Sequence, residues 1–314
     1  MPHGQSCLLF YECLHFHQSF HWYAKFFFSE GSFKILYRKN LAVKLGEGGI
    51  SNNKIARAAF GRGIDALKEF AADMKQFIID KQLCYATEAI RRAANGKDFV
   101  EEAKKQSGIT LEIIDGLREA ELIYSGVSHA VPFGKEKVLI MDIGGGSTEF
   151  VIAGNGKMLW RKSFPLGAAL LLDMFKPSDP IHEVQEKIIT EHINSVLFPL
   201  TEALKQYGPV NTLVGSAGSF DTFLDLCLHC FHKIKANTTW WPLDSEEYFD
   251  VHQILLTSTL QQRLEMPGMI AMRADMIVVA SMLLHYVIHK HNMNKLLVSA
   301  YALKEGMLYF AMNK

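Results

Sequence analysis

At 314 residues the chain is long enough for two domains and a substantial core. Its 33 basic and 33 acidic residues leave no global field to gather nucleic acid or a membrane surface, so a polyanion would have to be met by a local cluster. Five cysteines, odd in number and without regular spacing, point to a reduced, cytoplasmic setting rather than a disulfide framework, and no apolar run reaches the roughly 18 residues that a membrane span needs.

Residues 1–30 do not share the grammar of the rest. Phe16, His17, Phe20, His21, Trp22, Tyr23, Phe26, Phe27 and Phe28 crowd together without alternation or a helical stripe. No secretory leader is visible, and the histidines lack the spacing of a metal site. A loosely specified strand or tail is the plain reading. From Ser32 the pattern sharpens: residues 33–38 (FKILYR) suit a strand and residues 44–49 (KLGEGG) a loop. Asn53 is placed to cap a helix whose stripe runs through Ala59, Gly63, Leu67, Phe70, Met74 and Phe77.

A short strand at residues 83–86 leads into Thr87-Glu88-Ala89-Ile90-Arg91-Arg92. Thr87 stands where a helix would begin, so its hydroxyl either caps that helix or meets an anion together with the free N–H groups; Arg91, one turn later, could reach the same anion. Residues 111–114 read as a strand, and residues 115–123 as a turn running into a helix. Acids suit a first helical turn, and the position of Glu119 and Glu121 just before the next segment raises one of them as a general base.

That segment is residues 141–150 (MDIGGGSTEF), after the apolar run Val138-Leu139-Ile140. Gly144, Gly145 and Gly146 let a phosphate approach backbone N–H groups closely, and Ser147 and Thr148 add hydroxyl donors. Asp142 and Glu149 would repel phosphate, so their presence suggests a bridging hard cation such as Mg²⁺. In a P-loop or a dinucleotide-binding fingerprint the glycine turn opens a helix. Here it opens residues 149–153, then Gly154-Asn155-Gly156, then residues 157–161, and Asn-Gly between apolar runs signals a hairpin. The unit reads as an antiparallel meander that cradles phosphate at its first turn.

Residues 164–168 turn into a helix, and a helical stretch follows from about Glu183 to Gln206. Residues 212–219 (TLVGSAGS) run from strand into helix, so Gly215, Ser216, Ala217 and Gly218 form either a second phosphate or nucleotide loop or a plain strand-to-helix turn. Cys227, Cys230 and His232 resemble half a zinc site without a second half, and a buried helix face explains them better. Arg273-Ala274-Asp275 precedes a stretch too apolar for a surface helix; residues 296–299 are a last strand and residues 301–306 begin a last helix.

These motifs, in this order, resemble the exopolyphosphatase and guanosine pentaphosphate phosphohydrolase (Ppx/GppA) family in its short two-domain form. The resemblance spans about Phe33 to Phe310 and rests on residues 86–91, 119–123, 142–149, 164–167, 215–218, 273–275 and 303–306. It implies an α/β fold of two ribonuclease-H-like domains of the actin, sugar kinase and heat-shock chaperone superfamily, here 1–124 and 125–314, with the last helix packing back on the first. It also implies Glu119 as the base that activates water, Asp142 and Glu149 as holders of Mg²⁺, and Gly144 to Thr148 as the phosphate cradle, with Thr87 and Arg91 contacting phosphate from the first domain. The implied substrates are inorganic polyphosphate and pppGpp, without a nucleic-acid duplex or a membrane as partner, and exposed apolar surface on the last helices would allow a homodimer.

The family opens with a further phosphate loop, Asp-x-Gly-Thr-Asn-Ser/Thr, which this chain lacks. Counting back from Ala42 places it near Leu14 to His21, where Ser19-Phe20-His21 is a faint echo. Its loss would remove a metal-coordinating carboxylate, half of the cradle and an inner strand of the first domain. The alternative function is therefore a catalytically impaired polyphosphate- or nucleotide-binding protein.

Overall fold

The computed structural model describes residues 7–12, 19–27, 33–77 and 81–312. The chain divides into two compact units, Met1–Asp115 with Met307–Lys314, and Gly116–Gly306. A boundary at residue 124 would cut a helix that starts at Gly116; the division falls instead at Asp115, ahead of that helix.

The first unit runs β1 (Cys7–Glu12), β2 (Ser19–Phe27), β3 (Phe33–Ala42), α1 (Arg57–Met74), β4 (Lys81–Ala86), α2 (Glu88–Arg92), α3 (Gly96–Ser107) and β5 (Glu112–Ile113). Its sheet has the order β3-β2-β1-β4-β5, with the first three strands an antiparallel meander and β4 and β5 parallel additions. The inner strand expected to be missing is thus present as β1, between β2 and β4. The apolar run Leu8-Leu9-Phe10-Tyr11 suits an inner strand, which does not need alternation. Helix α1 buries Ala59, Gly63, Leu67 and Phe70 at the expected spacing, but Asn53 does not cap it. The cap position is Ala56; Asn53 lies in a turn at φ 50° and its carbonyl accepts from Ala94. The amide of Asn95 ties this segment down instead, through paired bonds with the backbone of Ile55 at 2.9 and 3.0 Å.

The second unit begins with α4 (Gly116–Ala130) and the meander β6 (Val138–Ile143), β7 (Thr148–Gly154) and β8 (Lys157–Phe164). The hairpin between β7 and β8 turns on Asn155 and Gly156, both at positive φ (53° and 69°), as an Asn-Gly turn requires. Then come α5 (Ala168–Phe175), α6 (Glu183–Val196), α7 (Phe198–Tyr207), β9 (Thr212–Ser216), α8 (Ala217–Cys230), β10 (Trp240–Leu243), α9 (Ser245–Thr257), α10 (Leu260–Glu265), a 3-10 turn (Ala271–Arg273), α11 (Ile277–His291), β11 (Lys295–Ser299) and α12 (Leu303–Met312). The single helix read over residues 183–206 is two, because Pro199 lacks an N–H and suits the first turn of a new helix. Among the described residues no helix is long and apolar enough to cross a membrane.

The sheet order is β10-β11-β9-β6-β7-β8, so β8-β7-β6-β9-β11 repeats the first unit's β3-β2-β1-β4-β5: a meander, then two parallel strands. Alternation along β6 and β7 sends Leu139, Met141, Ile143, Phe150 and Ile152 into a large core with the helices that follow, where α11 is buried without interruption from Ile277 to Leu284. The opposite face carries Asp142 and Glu149. Helix α4 packs against β6, β7 and β8, and the Glu121–Arg161 ion pair of 2.6 Å pins it to that second face, since Arg161 pairs with Val151, two residues from Glu149. Gly126 of α4 and Gly306 of α12 bring the two backbones together: a Cβ on Gly306 would lie 1.7 Å from the Leu122 carbonyl oxygen, and one on Gly126 2.1 Å from that of Ala302. Gly126→Ala and Gly306→Ala are each expected to cost about 2–4 kcal/mol of stability, read as a lower urea midpoint at unchanged slope.

Candidate active site

Four polar side chains form one row across the second sheet. Ser216 of β9 is opposite Asp142 of β6, Asp142 opposite Glu149 of β7, and Glu149 opposite Ser163 of β8, so all four share a face. Ser216 Oγ donates to Asp142 Oδ2 at 2.7 Å, and Ser163 Oγ donates to Glu149 Oε1 at 2.6 Å. Asp142, Glu149 and Ser216 are buried. Burial first, and the charge of Glu149 second, push the Asp142 carboxyl up to about 8; the Ser216 hydrogen bond and the Arg273 guanidinium pull the other way without prevailing. Asp142 Oδ1 is buried with no hydrogen-bond partner among the described residues. A buried pair of opposed carboxylates needs a proton or a cation, and an all-oxygen donor set with one carboxylate oxygen not engaged in a hydrogen bond among the described residues fits a hard divalent ion such as Mg²⁺. No group of three or more His, Cys, Asp or Glu suited to a metal exists among the described residues.

The glycine turn sits at the end of this row. Gly144 N donates to the Ser147 carbonyl at 2.9 Å, closing the turn. The Gly144 carbonyl accepts from Ala168, and that of Gly145 from Ala169 and Leu170, at 2.9 to 3.0 Å, so the turn satisfies the first N–H groups of α5. The N–H groups of Gly145, Gly146 and Ser147 take part in none of these bonds. Gly167 permits the contact, since a Cβ there would lie 2.2 Å from the Gly145 carbonyl carbon. The hydroxyl of Thr148, read as a phosphate donor, is wholly buried and donates to the Leu166 carbonyl at 2.7 Å, clamping the start of β7 to the turn before α5.

The second glycine turn serves the same row. Ser216 occupies the N-cap of α8, yet its side chain makes no capping bond and goes to Asp142. Ala217 holds a left-handed φ of 66°. Gly218 leaves room for Arg273, whose Nη2 would lie 1.8 Å from a Cβ at that position. Arg273 Nε is buried without a hydrogen-bond partner among the described residues; desolvation lowers the guanidinium pKa, opposed by the charges of Asp221 and Asp142. Neither Arg273 nor Ser163 was assigned a site role from sequence. Arg273 stands in a recognised motif, but its apposition to Gly218 spans 55 residues; nothing in the local pattern of β8 distinguishes Ser163.

Helix α4 starts at Gly116, so Glu119 lies in its first turn, with only 2 % of its surface exposed. Glu121 is held by Arg118 Nη1 at 2.8 Å and Arg161 Nη2 at 2.6 Å, so both of its carboxylate oxygens are engaged. Thr87 and Arg91 belong to the first unit. Thr87 precedes α2 without a capping bond, and its buried Oγ1 lacks a partner among the described residues. Arg91 donates to the Ile114 carbonyl at 2.7 Å and pairs with Glu88. Of the segment 14–21 where the family's first loop would fall, residues 14–18 lie outside the described residues. Cys227 is buried in α8, and burial pushes its thiol up to about 12, whereas Cys230 is exposed.

The duplicated meander-plus-parallel topology, with acids at the end of the meander's inner strands, defines an α/β protein of the actin-like ATPase, ribonuclease-H-like fold. The chain belongs to the Ppx/GppA phosphatase family, which it matches over residues 28–314. It is similar to a crystal structure of an exopolyphosphatase from Cytophaga hutchinsonii, 33% identical with a TM-score of 0.92 over 98% of this chain and 97% of that one. A Haemophilus influenzae protein that carries the provisional name exopolyphosphatase is 28% identical over 285 residues, 89% of this chain and 84% of the relative. The Aquifex aeolicus member of the family shares the fold, at 22% identity and a TM-score of 0.81, over 99% and 98% of the two chains.

An acid with a folded-state pKa near 8 and an ordinary value of 3.8 binds more protons folded than unfolded between those limits. In the metal-free protein, raising the pH from about 4 to about 8 is therefore expected to cost stability, by up to about 1.4 kcal/mol per pH unit. Urea unfolding in EDTA across that range measures it, and Asp142→Asn should flatten the profile.

Proposed function

We propose that the protein is a Mg²⁺-dependent phosphohydrolase that releases the terminal phosphoryl group of inorganic polyphosphate or pppGpp. The observation that carries this is the buried, opposed pair Asp142 and Glu149 beside a glycine turn in which the Gly145, Gly146 and Ser147 N–H groups take part in none of the bonds that close the turn or join it to α5 among the described residues. The names of the Cytophaga and Haemophilus relatives support polyphosphate.

Asp142 and Glu149 would hold Mg²⁺, which supplies charge neutralisation at the phosphoryl oxygens. The N–H groups of Gly145, Gly146 and Ser147 bind oxygens of the terminal phosphate, and Arg273 adds a fixed positive charge. Glu119 takes a proton from the attacking water as its oxygen bonds to the terminal phosphorus in line with the bridging P–O bond that breaks; the shortened chain leaves with that bridging oxygen. Glu121 is unsuited to this step because two guanidinium groups hold its oxygens. Positioning and electrostatics provide most of the rate, since the reaction needs no covalent intermediate.

A second reading, a binding protein of low or no activity, is favoured by one observation: the family match begins at residue 28, past the segment that would carry the first phosphate loop. Phosphate release from polyphosphate and from pppGpp, with Mg²⁺ and with EDTA, separates the two. Metal-dependent release that falls by about 10²–10⁴-fold in Glu119→Ala is expected. A folded protein that binds either substrate but releases no phosphate would favour the second reading.

A further inference from the structure

We propose that Ser216 and Ser163 are positioning residues that fix the two carboxylates for the cation, Ser216 dictating that Asp142 presents Oδ1. The inference rests on the metal reading above and assigns a task to two hydroxyls that touch neither substrate nor reacting atoms.

A serine at a helix N-cap ordinarily accepts a hydrogen bond from the second or third N–H of the helix, a bond worth about 0.5–2 kcal/mol. Ser216 makes no such bond. Its single proton goes to Asp142 Oδ2, across a separation of 74 residues. The turn that holds it there is strained: Ala217 adopts φ 66°, a conformation that costs a residue with a Cβ about 1 kcal/mol or more. Gly215 before it accepts no side chain, because a Cβ would lie 1.9 Å from the Phe220 ring. The β9–α8 turn thus forgoes a cap and tolerates strain, and places a donor against one oxygen of one carboxylate. Such costs recur where a side chain is aimed at a functional group.

Ser163 is its counterpart on the other flank. It comes from β8, lies opposite Glu149, and donates to Oε1 at 2.6 Å. The irregularity in the β7–β8 pairing falls between Ile152 and Ala153, away from this pair, so the alignment of Ser163 with Glu149 is regular. Hydroxyl, carboxylate, carboxylate and hydroxyl therefore succeed one another on four neighbouring strands, each outer group holding the inner one beside it. With Oδ2 occupied, Asp142 meets a cation through Oδ1, the buried oxygen that has no partner among the described residues. Ligands oriented in this way bind metal more tightly, and loss of the orienting partner typically costs 10–100-fold in affinity.

The test is Mn²⁺ binding, followed by electron paramagnetic resonance of the free ion, on the wild-type chain and on Ser216→Ala and Ser163→Ala, with melting of each in EDTA. Each alanine variant is expected to lose about tenfold or more in Mn²⁺ affinity while melting in EDTA within a few degrees of wild type; Ser163→Thr, which keeps the hydroxyl, is expected to restore most of the affinity. The concentration of Mg²⁺ needed for half-maximal activity should rise more than the rate at saturating Mg²⁺ falls. Alanine variants that bind Mn²⁺ as the wild type does would overturn the assignment, as would an affinity loss in proportion to a drop in the EDTA melting temperature, which would make the serines ordinary packing. Ser163 lies on an edge strand and is half-buried, so its variant decides the question even if Ser216→Ala does not fold. A wild-type chain that binds no Mn²⁺ would overturn the metal reading and this assignment together, and it is distinguishable because no variant would then differ from it.

Discussion

Two carboxylates opposed across adjacent inner strands, both out of contact with water, are the constraint on which the second unit is built. Like charges directly opposite in a sheet repel, and burial removes the solvent that would screen them. The surroundings respond at every position that can reach the pair. Serines donate from the strands on either side, a buried guanidinium feels the charge of Asp142, and one carboxyl is pushed toward its protonated form. The fold tolerates this because β6 and β7 are buried along their whole lengths, with apolar residues on the face away from the acids. Function and stability are placed on opposite faces of the same two strands.

The glycine turn shows how a loop can be rigid and still leave its donors available. Its carbonyls are spent on the start of α5, which fixes the peptide planes, and a plane whose oxygen is held has a fixed N–H direction as well. Gly167 is as necessary to this as the glycines of the turn, although it lies 21 residues beyond the last of them. Thr148 belongs to the same clamp. What reads in sequence as a row of phosphate donors is divided in three dimensions between groups that hold the turn in place and N–H groups that take no part in those bonds.

The repeated topology appears with two different sequences. In each unit a meander is extended on one side by parallel strands. In the second unit the turn between the first two strands carries the glycines, with the acids in the strands beside it. In the first, strands of the same order form from a sequence without those residues, because ladder pairing depends on main-chain groups and on side chains that suit a pleated surface rather than on any one residue. Fold and site chemistry are therefore separable here: residues 7–12 and 19–27 form strands from a sequence without the motif.

The local features were legible in the sequence because their causes are local. An Asn-Gly pair makes its own hairpin, a glycine run after an apolar strand makes its own turn, an apolar stretch such as residues 277–284 can only be core, and acids ahead of a glycine turn announce a charged site. Asn53 misled because capping residues are equally at home in turns, and Pro199 divided one apparent helix into two. The tertiary structure alone decided which groups meet. That Glu121 is held between two guanidinium groups follows from Arg161 on another strand; that Ser216 serves Asp142 rather than its own helix follows from the register of β9 against β6; that Ser163 meets Glu149 follows from β8 against β7. Spacing along a chain determines the periodicity of an element, but the partner of a side chain is set by how strands align and helices cross, and those depend on residues far apart in sequence.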